Sequence, residues 1–326
     1  MRASVSGLIV LAGLVPAVAV AQKADPAPGF PSKPIRFIVP YPAGGPADAL
    51  ARMVAVQLGA AWNQTVVIDN RGGGGGLIAG EMAARAVPDG HTILMSAIQT
   101  HAINPVLYPK LPYHPLKDFV NVTPLSFDPL LLSIHPGVAA TTLKEFIAVA
   151  KSQPGKINYA STGNGGSSQL AMELLKTMAG VNLLHVPYKG AAPAIAEMLA
   201  GQTQVTFLGI SATLPLARAG RLRALGVSSA KRSSVAPEIP AIAETFPGFE
   251  VTTWYGASVP AGTPPGVVAK ISAEMARAVR APEVRDRLAA GGAEAVHMEP
   301  AVFTRFIETE LTKWGKVVKD AAIRID

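Results

Sequence analysis

The sequence predicts an α/β fold arranged in two lobes. Three observations carry this expectation. Short, branched apolar runs alternate with helical patterns over residues 35–97, and the alternation resumes over residues 157–227. That rhythm is the pattern of βαβ units with parallel strands. Bare, small-residue loops stand where strands run into helices, at Ala43-Gly44-Gly45, at 72–76 and at 161–168. Finally, the chain has 326 residues, 49% of them apolar and only 16% charged, enough for two cores of ordinary domain size and against disorder.

In chain order, residues 1–21 read as a secretory signal peptide. Arg2 is the positive end, 8–20 is apolar around Gly13 and Pro16, and Ala19-Val20-Ala21 is a small-x-small site that places the cut after Ala21. The apolar part is too short to span a bilayer. The expected destination is an exported compartment. The chain has no cysteine, which excludes a disulfide framework, a thiolate metal site and a lipid-anchored cysteine. Its net charge is +7, with basic residues scattered rather than in runs and no interleaved aromatics. Such an excess favours solubility and mild attraction of anions, not nucleic-acid binding.

A proline-rich tether over 23–33 leads to a strand, Ile35-Arg36-Phe37-Ile38-Val39. Ala49, Leu50, Met53, Val54 and Leu58 then recur at helical spacing, and Pro46 sits where a first helical residue tolerates proline. A helix start carries free N–H groups and a partial positive charge, so the bare Gly44-Gly45 loop on it is an anion seat. The alternative is a plain turn capped by Asp48, whose carboxylate would use part of the positive end. A second strand, 65–69, runs through Asn70-Arg71 and the glycine run into an Ala-rich helix, and a third, 92–96, ends at Ser96. Ligands of parallel sheets collect at such carboxyl ends. Gly74, Gly76 and Ala79 fit a relaxed dinucleotide fingerprint, but the next strand ends without the acid that would hold a ribose. No cofactor is expected.

After Thr100-His101 the chain is irregular to Asp118, then strand-like over 122–132, and the crossing into the second lobe is placed near Ser126. Thr141 or Thr142 caps the next helix, and Pro154-Gly155 stops it. The strand 157–160 feeds a hydroxyl-rich loop, 161–168, with Ser167 as the expected cap of the helix carrying Leu170, Leu174, Leu175 and Met178. A further helix over 193–199 and strands over 204–208 and 223–227 follow, and 250–256 is the return strand. The lobes are therefore 22–125 with 251–326, and 126–250. Phe303, Phe306, Ile307, Leu311 and Trp314 recur at three and four residues and face a core. The six histidines show no metal spacing and no acidic partners, so no metal is expected, and His185 by itself reads as structural. Lys189 by itself reads as a solvated charge, and Trp254 as either hinge packing or a cleft wall.

Taken together, Tyr41-Pro42-Ala43-Gly44-Gly45-Pro46-Ala47-Asp48 with Arg52, Asn70-Arg71, Pro88-Asp89-Gly90-His91-Thr92, Asn104-Pro105, Lys117-Asp118-Phe119, Pro154-Gly155-Lys156, Ser161-Thr162-Gly163, His185-Val186-Pro187-Tyr188-Lys189-Gly190, the run 219–225 and Trp254-Tyr255-Gly256 resemble the substrate-binding proteins of tripartite tricarboxylate transporters, the Bug family. The resemblance implies a hinged, two-lobed periplasmic binding-protein fold of type II-like form. It implies a carboxylate held in the cleft mainly by main-chain N–H groups and water. By position, Tyr41, Ala43, Gly44, Gly45 and Asp48 form one side of the implied site, with Ser96 and Thr100 behind. Ser161, Thr162, Asn164 and Gly165 reach from the other lobe, and His185, Tyr188, Lys189, Gly190, Leu208 and Trp254 complete it. Leu208 stands where members often carry an acid. Leucine cannot receive an ammonium group, so the expected ligand is an organic acid without a free amine, aromatic or otherwise apolar. Ala43 replaces a common proline. The implied partners are membrane permease subunits or a sensor kinase, with the protein a monomer and not an enzyme. The competing reading is an exported serine hydrolase using Ser161 or Ser167, with His185 approaching in space; no G-x-S-x-G elbow is present.

Overall fold

The computed structural model describes residues 25–321 and 323; the signal-peptide reading of 1–21 lies outside the described residues. The first half runs β1 (Ile35–Val39), α1 (Pro46–Trp62), β2 (Val66–Asn70), α2 (Leu77–Ala84), β3 (Thr92–Ala97), α3 (Asn104–Leu107) and β4 (Phe119–Ile134). Then come α4 (Leu143–Ser152), β5 (Asn158–Ser161), α5 (Ser167–Ala179), β6 (Leu184–Pro187), α6 (Ala191–Leu199), β7 (Val205–Gly209), α7 (Ile210–Arg218) and β8 (Arg223–Val227). The chain closes with β9 (Thr252–Pro260), α8 (Pro265–Arg280), α9 (Pro282–Ala290), β10 (Glu294–Ala295) and α10 (Pro300–Asp320).

The strands lie in the order β2-β1-β3-β9-β4-β7-β5-β6, with β8 and β10 also paired to β4. Each lobe has the parallel pairs its βαβ rhythm demands: β1 with β2 and β3 in one, β5 with β6 and β7 in the other. Antiparallel β9 and β4 stand between them. The 16-residue β4 serves both lobes. From Phe119 to Pro129 it pairs with β9, and from Leu130 to Ile134 with β7 and β8. The change of partners therefore falls between Pro129 and Leu130. The two lobes are pieces of one bent sheet.

One core packs Phe37, Leu50, Val54, Ile271 and Met275 between the sheet and helices α1 and α8. The other is built on Phe146, Tyr159, Leu170 and Phe207, and α10 adds Phe303, Ile307 and Trp314 to it. The apolar stripe of α10 faces inward, as its spacing demands, and the same cluster takes in Ile98 and Ile103 after β3. α10 thus lies along both halves of the molecule. Glu310 is buried on this helix because it is well supplied with donors: the indole N–H groups of Trp254 and Trp314 reach its Oε2 at 3.3 and 3.0 Å, and Lys313 pairs with its Oε1. A buried carboxylate without such partners would be costly.

Candidate ligand-binding cleft

A cavity of about 490 Å³ opens between the lobes, in the size range of small-molecule sites. On one side it is lined by Pro46, Ala49, Leu50 and Met53 of α1 and by Arg287, Leu288 and Gly291 of α9 and its end. On the other it meets Ser167 and Ser168 of α5, Ala191 of α6, Leu208 of β7, and Ile210 and Ser211 of α7. Asp128 and Pro129 of β4 and Thr253 and Tyr255 of β9 line it from the strands that join the lobes. A larger groove, about 710 Å³, runs along α8 past Arg280 and His297, but it is built from one lobe alone.

Four helices begin at the interlobe cavity: α1, α5, α6 and α7. Their N-caps are Gly45, Gly166, Gly190 and Gly209, and none has a side-chain cap. α4 alone of the described α-helices carries a side-chain capping box, Thr142 accepting from the Glu145 N–H while Glu145 reaches back; α2, α8, α9 and α10 also lack one, so what marks the cavity is that four glycine-capped starts meet on it. Glycine N-caps leave first-turn N–H groups without a local acceptor, each set at a positive helix end. Four such ends on one cavity make an environment for an anion.

The Gly44 half of the expected anion seat is already occupied from within the loop. The Gly44 N–H is not free, because it donates to Asp48 Oδ2 at 2.9 Å. Asp48 does not cap α1 either. It lies inside the first turn, buried, and also takes Arg52 Nε at 3.0 Å; those two bonds, Arg52 first, hold its carboxyl below the ordinary aspartate value. Its role is to tie the loop to the helix. Ala43 and Gly44 are exposed on that loop, and the Tyr41 ring packs edge-on against Tyr255 with centroids 5.9 Å apart. Of the 41–48 stretch, Pro46 reaches the lining, just after Gly45.

The second loop has also spent its amides internally. Thr162 N–H donates to Ser168 Oγ (2.9 Å), Gly163 N–H to Ser161 Oγ (3.2 Å) and Gly165 N–H to Gln169 Oε1 (2.7 Å). Gly190 N–H donates to Thr162 O at 3.2 Å and Tyr188 N–H to Ser161 O at 3.0 Å. Thr162 and Leu208 are on the lining; Asn164, Gly165, Tyr188, Lys189 and Gly190 are not. Ser167 is the first helical residue of α5 rather than its cap, and its Oγ accepts from Thr253 Oγ1 at 3.3 Å. Ser96 and Thr100 are fully buried, Thr100 bonding Ala97 O and the His101 ring.

Ser161 and His185 do meet, with Oγ and Nε2 2.6 Å apart. Yet Ser161 has 0% exposure and is absent from the lining. The other ring nitrogen faces the Gln169 amide at 3.2 Å, not a carboxylate, and the ring stacks on Tyr159 at 4.7 Å. Burial lowers the His185 pKa, so the ring is neutral at pH 7. The pair braces the 161–165 loop from behind. Trp254 is core, with 0% exposure against Phe303 and Phe306. The strand period of two explains this: Thr253 and Tyr255 take the cavity face of β9 and Trp254 the opposite one.

Sequence reasoning missed Ser211, Arg287, Thr253, Tyr255 and Asp128. Asp128 carried a signal, as the only charged residue of β4. It is half-buried on the cavity wall, with the Ser126 hydroxyl donating to Oδ2 at 3.1 Å. Burial pushes its carboxyl up to about 7. The expectation of an amine-free ligand rested on Leu208, and Asp128 brings an acid to the same cavity from another strand.

A two-lobed α/β fold whose helices converge bare-ended on an interlobe cavity defines a solute-binding protein. The chain belongs to the tripartite tricarboxylate transporter family of receptors, whose model matches residues 50–323. Among its relatives is a UPF0065 protein from the tcbD–tcbE intergenic region of Pseudomonas sp. strain P51, 37% identical over 95% of this chain and 93% of that one. Protein BugT of Bordetella pertussis is 33% identical over 91% of each. Of solved structures, R. palustris Rpa4515 with adipate superposes with TM-score 0.79 at 34% identity, covering 90% of this chain and 99% of that one. MatC of Rhodopseudomonas palustris with bound malate gives TM-score 0.75 at 33% identity, covering 89% and 100%.

Proposed function

We propose that this protein captures a small organic carboxylate in the interlobe cavity and delivers it, as a periplasmic monomer, to membrane permease subunits of the tripartite type or to a sensor kinase. The observation that carries the reading is the convergence of four glycine-capped helix starts on one cavity. The acids named with the two R. palustris structures, adipate and malate, support the ligand class. Among the described residues no helix is long and apolar enough to cross a membrane. Capture is binding without chemistry: the buried Ser161 has no access to the cavity, and Ser167, which does, has a threonine hydroxyl as its side-chain partner.

Closure works through β4, the strand shared by the lobes, and through the chain crossing that leads into β9. A ligand touching both sides favours the closed arrangement by contacts the open one lacks. A panel of mono- and dicarboxylates read by thermal unfolding tests the reading. An acid at a hundredfold its Kd stabilises by about 2.7 kcal/mol, with no turnover. Conversion of the acid, abolished in Ser161→Ala, would replace the receptor reading by the hydrolase one.

Gly292 supplies a test of closure. It follows α9 with φ +78°, and a Cβ there would meet Ile210 Cγ2 of the other lobe at 2.2 Å. Gly292→Val is expected to wedge the cleft at its contact with Ile210 and weaken ligand binding by about tenfold or more, while the strain of a β-branched residue at this φ, ~1–3 kcal/mol, falls on the fold in either arrangement of the lobes. Calorimetry reads the loss, and Ile210→Ala in the same chain should recover part of it. Unchanged affinity in Gly292→Val would remove the contact from the account.

A further inference from the structure

A site built for an anion has a carboxyl on its wall. Asp128 lies on the strand that joins the lobes, in register with Thr253 and just before β4 changes partners. Its side-chain partner is the Ser126 hydroxyl at 3.1 Å, and among the described residues it forms no ion pair. The groups facing the same cavity are few. α1 presents Pro46, Ala49, Leu50 and Met53; α5, α6 and α7 present hydroxyl and apolar side chains. Arg287 of α9 and Tyr255 of β9 are the other ionisable side chains of the lining, and Tyr41 packs behind Tyr255. No histidine lines the cavity.

A carboxyl in a desolvated cavity with one hydroxyl partner and no ion pair is unfavourable as an anion unless a proton, a cation or a further hydrogen-bond donor meets it. A bound acid that seats its carboxylate on the helix starts would be repelled by Asp128 unless it offers such a donor. We infer that Asp128 is a specificity-determining residue that accepts a hydrogen bond from a donor group, hydroxyl or ammonium, borne by the bound carboxylic acid. This rests on the receptor reading above. Leu208 and Leu130 on the same wall leave the acid's carbon skeleton an apolar surface. Burial places the Asp128 carboxyl at about 7, so the empty cleft holds that proton near neutrality and loses it to solvent when a ligand donor takes its place. For an ammonium-bearing acid, affinity is therefore full above that pH and declines below it. The Tyr255 phenol, held well above its ordinary value by burial, stays neutral through the same range.

The test uses calorimetry on the mature protein with acids in matched trios: succinate, malate and aspartate; 3-phenylpropionate, phenyllactate and phenylalanine. In the trio that binds, a donor-bearing member should exceed its bare parent at least tenfold, and Asp128→Asn should reduce that preference to about threefold or less while the parent binds as well or better. Aspartate-for-succinate and phenylalanine-for-phenylpropionate preferences identify an ammonium donor, and the malate and phenyllactate preferences a hydroxyl. The thermal unfolding of Asp128→Asn without ligand must match the parent protein. Bare parents binding as tightly as their donor-bearing partners, with Asp128→Asn altering all alike, would overturn the assignment and leave the receptor intact. Failure of every acid in both trios and in the wider carboxylate panel would overturn the receptor reading itself, and this assignment with it.

Discussion

Gly45→Asp is expected to abolish carboxylate binding while the protein folds as before. Gly45 is the N-cap of α1, with φ −84°, a conformation open to any residue. A Cβ built there has nothing nearer than Pro42 O at 3.8 Å, so the fold has room for the side chain. Aspartate is among the preferred N-cap residues, which makes the substitution neutral or slightly stabilising for the helix. Its charge, however, competes for the amides and the positive end that the ligand needs. Two like charges about 4 Å apart at an effective dielectric of about 20 repel by ~4 kcal/mol, roughly a thousandfold in affinity. Gly45→Asn adds the cap without the charge and should weaken binding much less. Calorimetry on the three proteins, with thermal unfolding as the control, reads the difference. Gly45→Asp binding as tightly as the parent would remove α1 from the site.

Trp254→Ala is expected to have the largest effect on stability. The ring is fully buried, edge-on to Phe303 at 5.5 Å and Phe306 at 5.7 Å, and its N–H serves the buried Glu310. Truncation opens a cavity and removes one donor from a buried acid, a loss of ~3–5 kcal/mol. At this size that lowers the unfolding temperature by roughly 10 °C. Well below the transition, affinity should stay within about threefold of the parent, because the cavity is bordered by Thr253 and Tyr255 rather than by the indole. Trp254→Phe should retain most of the stability. A variant that unfolds normally but binds nothing would return Trp254 to the cleft.

The contrast between these residues shows which parts of the molecule local patterns can specify. Strand–helix alternation over 35–97 and 157–227 and the stripe of α10 follow from periodicity, which is a local property. Asp128, Thr253 and Tyr255 required the pairing of β4 with β9, and that register is a long-range fact. The face of Trp254 was ambiguous because a strand buried on both sides gives its alternation no polar face to mark. The Gly44 amide looked available because a bare loop does not reveal that Asp48, four residues on, folds back to take it. Ser161 looked reachable for a related reason: its loop is hydroxyl-rich, but the side chain turns under it toward His185. Of the helix starts, Gly45 before Pro46 was legible, whereas Ser167 reads as the cap of α5, α6 reads as begun at Pro193, and α7 after Gly209 was not seen. Their N-caps, at Gly45, Gly166, Gly190 and Gly209, are the common feature of the cleft.

The most direct measurement is a crystal structure of the protein with a carboxylate that stabilises it. A carboxylate oxygen should lie within hydrogen-bond distance, about 2.9 Å, of first-turn N–H groups of α1 and of at least one of α5, α6 and α7, directly or through one water. A ligand held instead by the Arg287 guanidinium alone, or seated in the groove along α8, would contradict the account.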